Sequence, residues 1–221
     1  MLNLKKEMLK LPKLVLASGS PRRSERLESV GWEFTKHVAD IDESELEGEK
    51  PDDYVVRLAR EKAEAIALKY PSEIVLGADT TVVINGKILG KPSDLDDARR
   101  MLKMLAGNWH EVLTGIAIVQ NGETRSALQR TRVKFAAMSE AEISFLAEHG
   151  DPLDKAGAYA VQAQAALFIE GIEGDYWNVV GLPISLVYGL VGVRAGASPL
   201  LYLDNQMLNN EHGRLFHCWK R

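Results

Sequence analysis

The chain has 221 residues, of which 46% are apolar and 26% are charged, and its formal net charge is −4 at pH 7. These proportions are typical of a folded globular protein and exclude a disordered, collagen-like or disulfide-rich one. A net acidic chain also argues against a general nucleic-acid-binding protein, because binding to the phosphate backbone requires a net basic surface.

The cysteine content and the N-terminal segment predict the compartment. Cys218 is the only cysteine, so no disulfide forms within the chain and a reducing compartment, by default the cytoplasm, is expected. Charged residues interrupt the first sixteen positions, and we therefore expect no secretory signal. The longest uncharged stretch, 176–193, contains a proline and three glycines. It predicts a buried strand, a turn and a packed helix rather than a membrane span.

Short apolar segments predict most of the strands. The predicted strands are residues 13–17, 74–78, 81–84, 87–89 and 112–119, followed by an alternating strand that includes Thr131, Val133 and Phe135. The dipeptides Asn85-Gly86 and Asn121-Gly122 predict the tight turns of two hairpins. The strands on either side of each dipeptide are therefore expected to pair antiparallel.

Helical spacing and capping residues predict four helices. They extend from Ser20 to Gly31, from Pro51 to Pro71, from Ser93 to Gly107 and from Ser139 to His149. Because helices alternate with strands and hairpins, we predict an α/β fold with a mixed central sheet flanked by helices. The length permits either a single body or two lobes around a cleft.

The segment S18-G-S-P-R-R23 lies between the first predicted strand and the first predicted helix. Free amide groups at a helix N-terminus and arginine side chains both bind phosphate groups. Arginines in a first helical turn are unfavourable with respect to the helix dipole unless an anion compensates them. The segment is therefore either an anion-binding site or a capped helix with solvated arginines.

Asp79 is predicted to stand at the end of a buried apolar strand, in the segment G77-A-D-T80. Strand ends are where α/β proteins place catalytic groups. The Asp79 carboxylate could accept a proton from water, bind Mg²⁺, or hydrogen-bond to the backbone of its own turn. The residues of this segment leave the three alternatives open.

Other charged residues near these segments are less specific candidates. Asp40, Asp42 and Glu43 could bind a hard cation, and Lys62 and Lys91 could contact phosphate. Taken singly, each is more often a solvated surface charge. The chain contains no P-loop, no dinucleotide-binding glycine motif, no H-E-x-x-H motif and no paired C-x-x-C.

Nine segments, in this order, are similar to motifs of the Maf family of nucleoside triphosphate pyrophosphatases. They are L14-V-L-A-S-G-S-P-R-R23, D40-I-D-E43, R57-L-A-R-E-K-A63, L76-G-A-D-T80, L89-G-K-P92, Ala98 to Leu105 before Gly107, H110-E-V-L-T-G115, D154-K-A-G-A-Y159 and N178-V-V-G-L-P183. The resemblance covers residues 14–193 and implies a fold like that of Maf and inosine triphosphatase proteins. It implies a pyrophosphatase domain at 13–194, an N-terminal extension at 1–12 and a C-terminal tail of unknown role at 195–221.

The resemblance implies an enzyme that hydrolyses nucleoside triphosphates by attack of water at the α-phosphorus, releasing the nucleoside monophosphate and pyrophosphate. Asp79 would accept a proton from the water, and Asp79 and Glu43 would bind a divalent metal cation, Mg²⁺ or Mn²⁺. The residues that would hold the triphosphate are Ser18, Arg22, Arg23, Lys62 and Lys91.

The base preference is implied by three further matches. Arg22, Thr80 and Gln162 together resemble the branch of the family that acts on dTTP and UTP. A glutamine amide both donates and accepts hydrogen bonds, which suits the imide edge of thymine or uracil. Ala163 and Ala165 stand where the family usually has glycines, so a requirement for positive φ there would displace the loop that carries Gln162.

The resemblance also implies a homodimer, and the protein is expected to bind neither nucleic acid nor membrane. An alternative hypothesis from a different class is a nucleotide-sensing regulator of cell division and septum formation without catalytic activity. A sensor would bind triphosphates without turning them over. Release of pyrophosphate therefore separates the two hypotheses.

Overall fold

The structure is a computed structural model that describes residues 10–192 as seven strands, six α-helices and three short 3-10 helices. The strands are β1 (Leu14–Ala17), β2 (Phe34–His37), β3 (Ile74–Ile84), β4 (Lys87–Leu89), β5 (Trp109–Gln120), β6 (Glu123–Phe135) and β7 (Ile169–Glu173). The α-helices are α1 (Pro21–Ser29), α2 (Pro51–Ala67), α3 (Leu95–Leu105), α4 (Glu140–His149), α5 (Tyr176–Val180) and α6 (Ile184–Leu190). The 3-10 helices are Pro152–Asp154, Ala156–Ala158 and Gln164–Leu167. The predicted tail at 195–221 and most of the predicted extension at 1–12 lie outside the described residues.

All seven strands form one sheet in the order β2-β1-β3-β5-β6-β7, and β4 pairs with β3 beside this path. Strands β2, β1 and β3 are parallel, whereas the remaining pairs are antiparallel. The predicted mixed sheet flanked by helices is therefore confirmed. Both predicted hairpins are present, with Asn85 and Asn121 in the left-handed conformation that their turns require.

Residues 74–84 form one continuous strand, so the prediction of two strands with Asp79 at the end of the first was wrong. On one side of β3, β5 pairs without interruption from Val75 to Val83. On the other side, β1 ends where Ala17 pairs with Gly77, and β4 begins pairing only at Val82. Asp79 therefore lies at a gap in one edge of β3, just beyond the carboxyl end of β1.

Two glycines allow α2 to lie directly on the sheet. A Cβ atom at Gly77 would stand 2.1 Å from the carbonyl oxygen of Ala59, and one at Gly115 would stand 2.1 Å from that of Val55. These separations are far below van der Waals contact, so any side chain at either position would push the helix away. The backbone of α2 therefore packs against the backbones of β3 and β5, which determines where the helix places its side chains.

Apolar side chains cover both faces of the parallel half of the sheet. Alternate residues of β1 point in opposite directions, so Val15 packs under α2 while Leu14 and Leu16 pack with α1 and α6. A separate apolar cluster joins α3 and α4 to β4 and to parts of β3, β5 and β6. The gap at Asp79 lies where these packed regions meet.

The predicted helices are confirmed to within a few residues at their ends, but the strand predicted in 176–193 was wrong. That stretch forms two short helices, α5 and α6, separated by Gly181 at φ 110°. The short strands β2 and β7 were not predicted. Within residues 10–192, no helix is both long enough and apolar enough to span a membrane.

Candidate active site

A cleft of about 550 Å³ opens at the gap in β3. The structure brings every one of the nine predicted site residues to its walls. These residues are Ser18, Arg22, Arg23, Glu43, Lys62, Asp79, Thr80, Lys91 and Gln162. They come from the β1–α1 turn, the start of α1, the segment before α2, α2 itself, β3, the loop after β4 and the loop before β7.

Arg23 is buried at the base of the cleft. Its guanidinium group donates to Ser18 Oγ at 2.9 Å, to Thr80 Oγ1 at 3.1 Å and to the carbonyl oxygen of Gly181 at 3.0 Å. Burial lowers the pKa of Arg23, and the nearby Asp79 carboxylate opposes that effect. Three of the five N–H groups of a guanidinium are thus engaged by the protein, and two are left for a ligand.

Arg22 points across the cleft instead. It donates to Asp154 Oδ2 at 2.9 Å and to the Asp154 carbonyl oxygen at 3.1 Å. Its side chain is 23% exposed. The first turn of α1 contains no acidic residue, and the side chain of the N-cap residue, Ser20, makes no capping hydrogen bond. The N-terminus of α1 therefore combines free amide groups with basic side chains, as an anion-binding site does.

Lys62 joins the two carboxylates of the cleft. Its Nζ atom is 2.6 Å from Asp79 Oδ1 and 2.9 Å from Glu43 Oε1. Lys62 and Asp79 are each 8% exposed, whereas the Glu43 side chain is 52% exposed. A buried ammonium group between two carboxylates balances charge that would otherwise be costly to remove from water.

The burial of Asp79 changes its acidity. Burial raises the pKa of the Asp79 carboxyl above its ordinary value, while the positive charges of Lys62 and Arg23 oppose the rise. Lys62 donates to Oδ1, and Oδ2 accepts no hydrogen bond from residues 10–192. Asp79 therefore has one oxygen fixed by the protein and one available to a water molecule, which is the arrangement a general base needs.

Asp79 and Glu43 fit a divalent cation of the Mg²⁺ type, because such ions are held by one or two carboxylates together with substrate phosphates. The described part of the chain contains no group of three or more His, Cys, Asp or Glu side chains that could hold a metal alone. Asp40 and Asp42 do not line the cleft, and Asp42 instead accepts hydrogen bonds from Ser44. Of the three acidic candidates in this segment, only Glu43 reaches the site.

The comparisons with known proteins cover most of the described chain. The sequence matches the family described as "Maf-like protein" over residues 13–192. The chain belongs to the Maf family. It is 48% identical to a dTTP/UTP pyrophosphatase of Symbiobacterium thermophilum over 79% of this chain and 90% of that one. It is 51% identical to one of Geotalea uraniireducens over 77% and 89%. The solved Ham1 protein of Staphylococcus aureus is 17% identical, with a TM-score of 0.42 over 56% of this chain and 72% of that one.

In this Maf chain the base-recognition candidates Thr80 and Gln162 both line the cleft. Thr80 Oγ1 is 2.9 Å from Thr114 Oγ1 and receives the hydrogen bond from Arg23. Gln162 and Lys91 are exposed at the rim, and neither side chain bonds to any residue in the described range. Gln162 and Lys91 are therefore placed to meet a ligand that enters the cleft.

The two alanines in the loop of Gln162 do not require a left-handed backbone. Ala163 has φ −121°, and Ala165 lies in a 3-10 helix with its side chain buried. The non-glycine residue with positive φ near this loop is Ala158, at 64°. Alanine at 163 and 165 is thus compatible with the observed loop, in which Gln162 lines the cleft.

The sequence reasoning assigned no role to several other residues of the cleft. Asp154 and Lys155 line it together with Tyr54 and Tyr159. Asp154 accepts from Arg22 and Lys155, while Tyr54 donates to the carbonyl oxygen of Glu43 at 3.0 Å. Burial raises the pKa of Tyr54 to about 12, so its hydroxyl remains a donor. For Asp154, Lys155 and Tyr159 the segment D154-K-A-G-A-Y159 was the available signal, because it is one of the matched motifs, whereas Tyr54 lies outside all nine of them.

Proposed function

We propose that the protein hydrolyses nucleoside triphosphates, with dTTP and UTP as preferred substrates, to the nucleoside monophosphate and pyrophosphate. The observation that carries the proposal is the buried Asp79 carboxylate, held on one oxygen by Lys62 in a cleft with basic walls. Relatives at 48% and 51% identity that are named dTTP/UTP pyrophosphatases support the same reaction and base preference.

In the proposed reaction, the free oxygen of Asp79 accepts a proton from water as the water attacks the α-phosphorus. The bond between the α-phosphorus and the bridging oxygen breaks, and pyrophosphate leaves. Lys62 favours the ionised form of the carboxylate and orients it through its contact with Oδ1. Arg22, Lys91 and the amide groups at the start of α1 hold the phosphates, while Arg23 holds Ser18 and Thr80 in place.

Charge is the main obstacle to this reaction, because a triphosphate must enter beside two carboxylates. A divalent cation held by Asp79 and Glu43, which we propose to be Mg²⁺ or Mn²⁺, would offset part of that charge when bound. The rim position of Gln162 suits contact with a base, and its amide can pair with the imide edge of thymine or uracil.

The test is pyrophosphate release from a panel of nucleoside triphosphates with Mg²⁺ or Mn²⁺, using the full chain. We expect the fastest turnover with dTTP and UTP. Asp79→Asn should lower kcat by about 100-fold or more, since general-base catalysis contributes roughly 10²- to 10⁴-fold. Asp96→Asn is the matched control, because the Asp96 side chain is 92% exposed on α3. Nucleotide binding without any pyrophosphate release would indicate a sensor and overturn the proposal.

A further inference from the structure

The segment between β2 and α2, residues 38–50, carries Glu43 into the cleft without any regular secondary structure. We refer to it as the acidic segment. It contains six carboxylates between Asp40 and Glu49. Like charges at this density repel one another and favour an open, solvated chain. Specific contacts are therefore needed to hold Glu43 next to Lys62.

Arg57 of α2 supplies the largest set of such contacts. It donates to both carboxylate oxygens of Glu49, at 2.6 and 2.7 Å, and to the carbonyl oxygen of Ser44 at 3.0 Å. A bidentate arginine–carboxylate pair combines a strong interaction with a fixed geometry. The Glu49 side chain is only 9% exposed, which makes this pair less screened than an ordinary surface ion pair.

The contacts of Arg57 are close to Glu43 in the chain. Ser44 directly follows Glu43, and Tyr54 holds the carbonyl oxygen of Glu43 itself at 3.0 Å. Tyr54, Arg57 and Lys62 all belong to α2, whose position is set by its backbone contact with Gly77 and Gly115. One helix therefore fixes both the backbone of Glu43 and the ammonium group that its carboxylate contacts.

We propose that Arg57 is a positioning residue that fastens the acidic segment to α2 and so keeps the Glu43 carboxylate on Lys62, opposite Asp79. The proposal deepens the proposed function, since it concerns the same site. Arg57 does not line the cleft, so its effect on turnover passes through Glu43. Loss of Arg57 leaves Arg22 and Lys91, the proposed phosphate contacts on other elements, unchanged.

The first measurement is steady-state kinetics of Arg57→Met. We expect kcat to fall about 10- to 100-fold, the range found when residues that orient a site ligand are removed. KM should change less than threefold, because the phosphate contacts remain. Arg60→Met is the matched control, since Arg60 lies on the same helix in an exposed pair with Glu64. It should retain wild-type kcat.

The decisive measurement is the double variant with Glu43→Gln. Because Arg57 acts through Glu43, Arg57→Met should cause no further loss of kcat when Glu43→Gln is already present. If the kcat loss of the double variant equalled the product of the two single-variant losses, Arg57 would affect turnover by another route and the proposal would be overturned. Glu49→Ala removes the carboxylate partner of the Arg57–Glu49 ion pair and leaves the sequence of α2 unchanged. It should reproduce the kinetic effect of Arg57→Met.

Cleavage by a glutamyl endopeptidase gives a readout that does not depend on catalysis. We expect Arg57→Met to be cut after Glu45 and Glu47 at least tenfold faster than wild type or Arg60→Met. Equal rates would mean that Arg57 does not fasten the segment, and the inference would fail even in an active enzyme. If wild type released no pyrophosphate, the proposed function would fail, whereas the cleavage comparison would still decide how the segment is held.

Discussion

Arg22 and Arg23 are neighbours in the sequence but have different surroundings in the structure. Arg23 shares the inward face of α1 with Leu27, one helical turn later, and both are buried. Arg22 directly precedes Arg23 and therefore projects from a different face of α1, where it contacts Asp154 across the cleft. The sequence predicted an anion site from both arginines. The spacing of Arg23 and Leu27 was an available signal for the buried position, but the partners Thr80 and Gly181 are distant in the chain and could not be predicted.

The first prediction concerns the stability that Arg23 provides. Arg23→Lys keeps the positive charge, but a single ammonium group cannot reach Ser18, Thr80 and the Gly181 carbonyl together. Unpaired buried groups should then lower the free energy of unfolding by about 2–4 kcal/mol. Urea denaturation followed by circular dichroism measures this change. Arg22→Lys is the neighbouring control and should cost less than about 1 kcal/mol; equal losses in the two variants would contradict the proposed role of Arg23.

At the scale of elements, the strongly periodic helices and hairpins were predictable, whereas short or irregular elements were not. Strands β2 and β7 have mostly half-exposed or exposed residues, and they lack a continuous apolar pattern. The apolar stretch 176–193 resembles a strand, yet Asp175 caps a helix there through the amide of Trp177. Asn178 is fully buried and donates to the carbonyl oxygen of Val112. Tertiary contacts of this kind decide the conformation of short segments.

The gap in the pairing along one edge of β3 shows that tertiary contacts also decide the geometry of the site. A continuous strand of eleven residues was predicted as two strands because Asp79 and Thr80 interrupt the apolar pattern. The polar residues are tolerated in the middle of the strand because β1 ends at Ala17 and leaves one edge free at that point. The sequence therefore showed that Asp79 interrupts an apolar segment. It did not show why the strand continues through Asp79, because that depends on where the neighbouring strand β1 ends.

A second prediction follows from the contact between α2 and the sheet. Gly77→Ala would place a Cβ atom 2.1 Å from the Ala59 carbonyl oxygen and 2.8 Å from the Ala63 amide nitrogen. The helix must move, and we expect a loss of about 1–3 kcal/mol in the free energy of unfolding together with a loss of turnover, since Lys62 moves with α2. Gly171→Ala is the control, because its Cβ would meet only Trp109 at 3.7 Å. Wild-type stability and kcat in Gly77→Ala would contradict the close packing described here.

For the whole molecule, the stability is coupled to pH by a buried histidine outside the charged cluster, His110 on β5. It is 2% exposed, stacks on Phe135 and lies 2.7 Å from the hydroxyl oxygen of Tyr159 through Nε2. Its Nδ1 atom is buried without a partner in the part of the chain that the structure describes. Burial lowers the pKa of His110 from 6.5 to about 3. The folded protein therefore holds this imidazole neutral under conditions where the unfolded chain protonates it.

The resulting pH dependence of stability has a definite sign. Above pH 6.5 His110 is neutral in both states and the stability is fully present. Between pH 6.5 and about 3 the unfolded chain binds one more proton than the folded protein. The free energy of unfolding should therefore fall by about 1.4 kcal/mol for each pH unit in that window. The loss ends once the pH passes below the folded pKa, where both states bind the proton.

Urea denaturation at intervals between pH 7.5 and 4.5 tests this expectation. His110→Gln has no group that titrates in this range, while its amide can still bond to Tyr159, so its stability should decline less steeply below pH 6.5 than that of wild type. His149→Gln replaces an exposed histidine of α4 and should keep the wild-type decline, because the buried imidazole of His110 is still present. Parallel stability curves for wild type and His110→Gln would mean that the folded and unfolded states bind the same number of protons at His110. His110 would then be protonated inside the core, and the neutral contact with Tyr159 described here would be wrong.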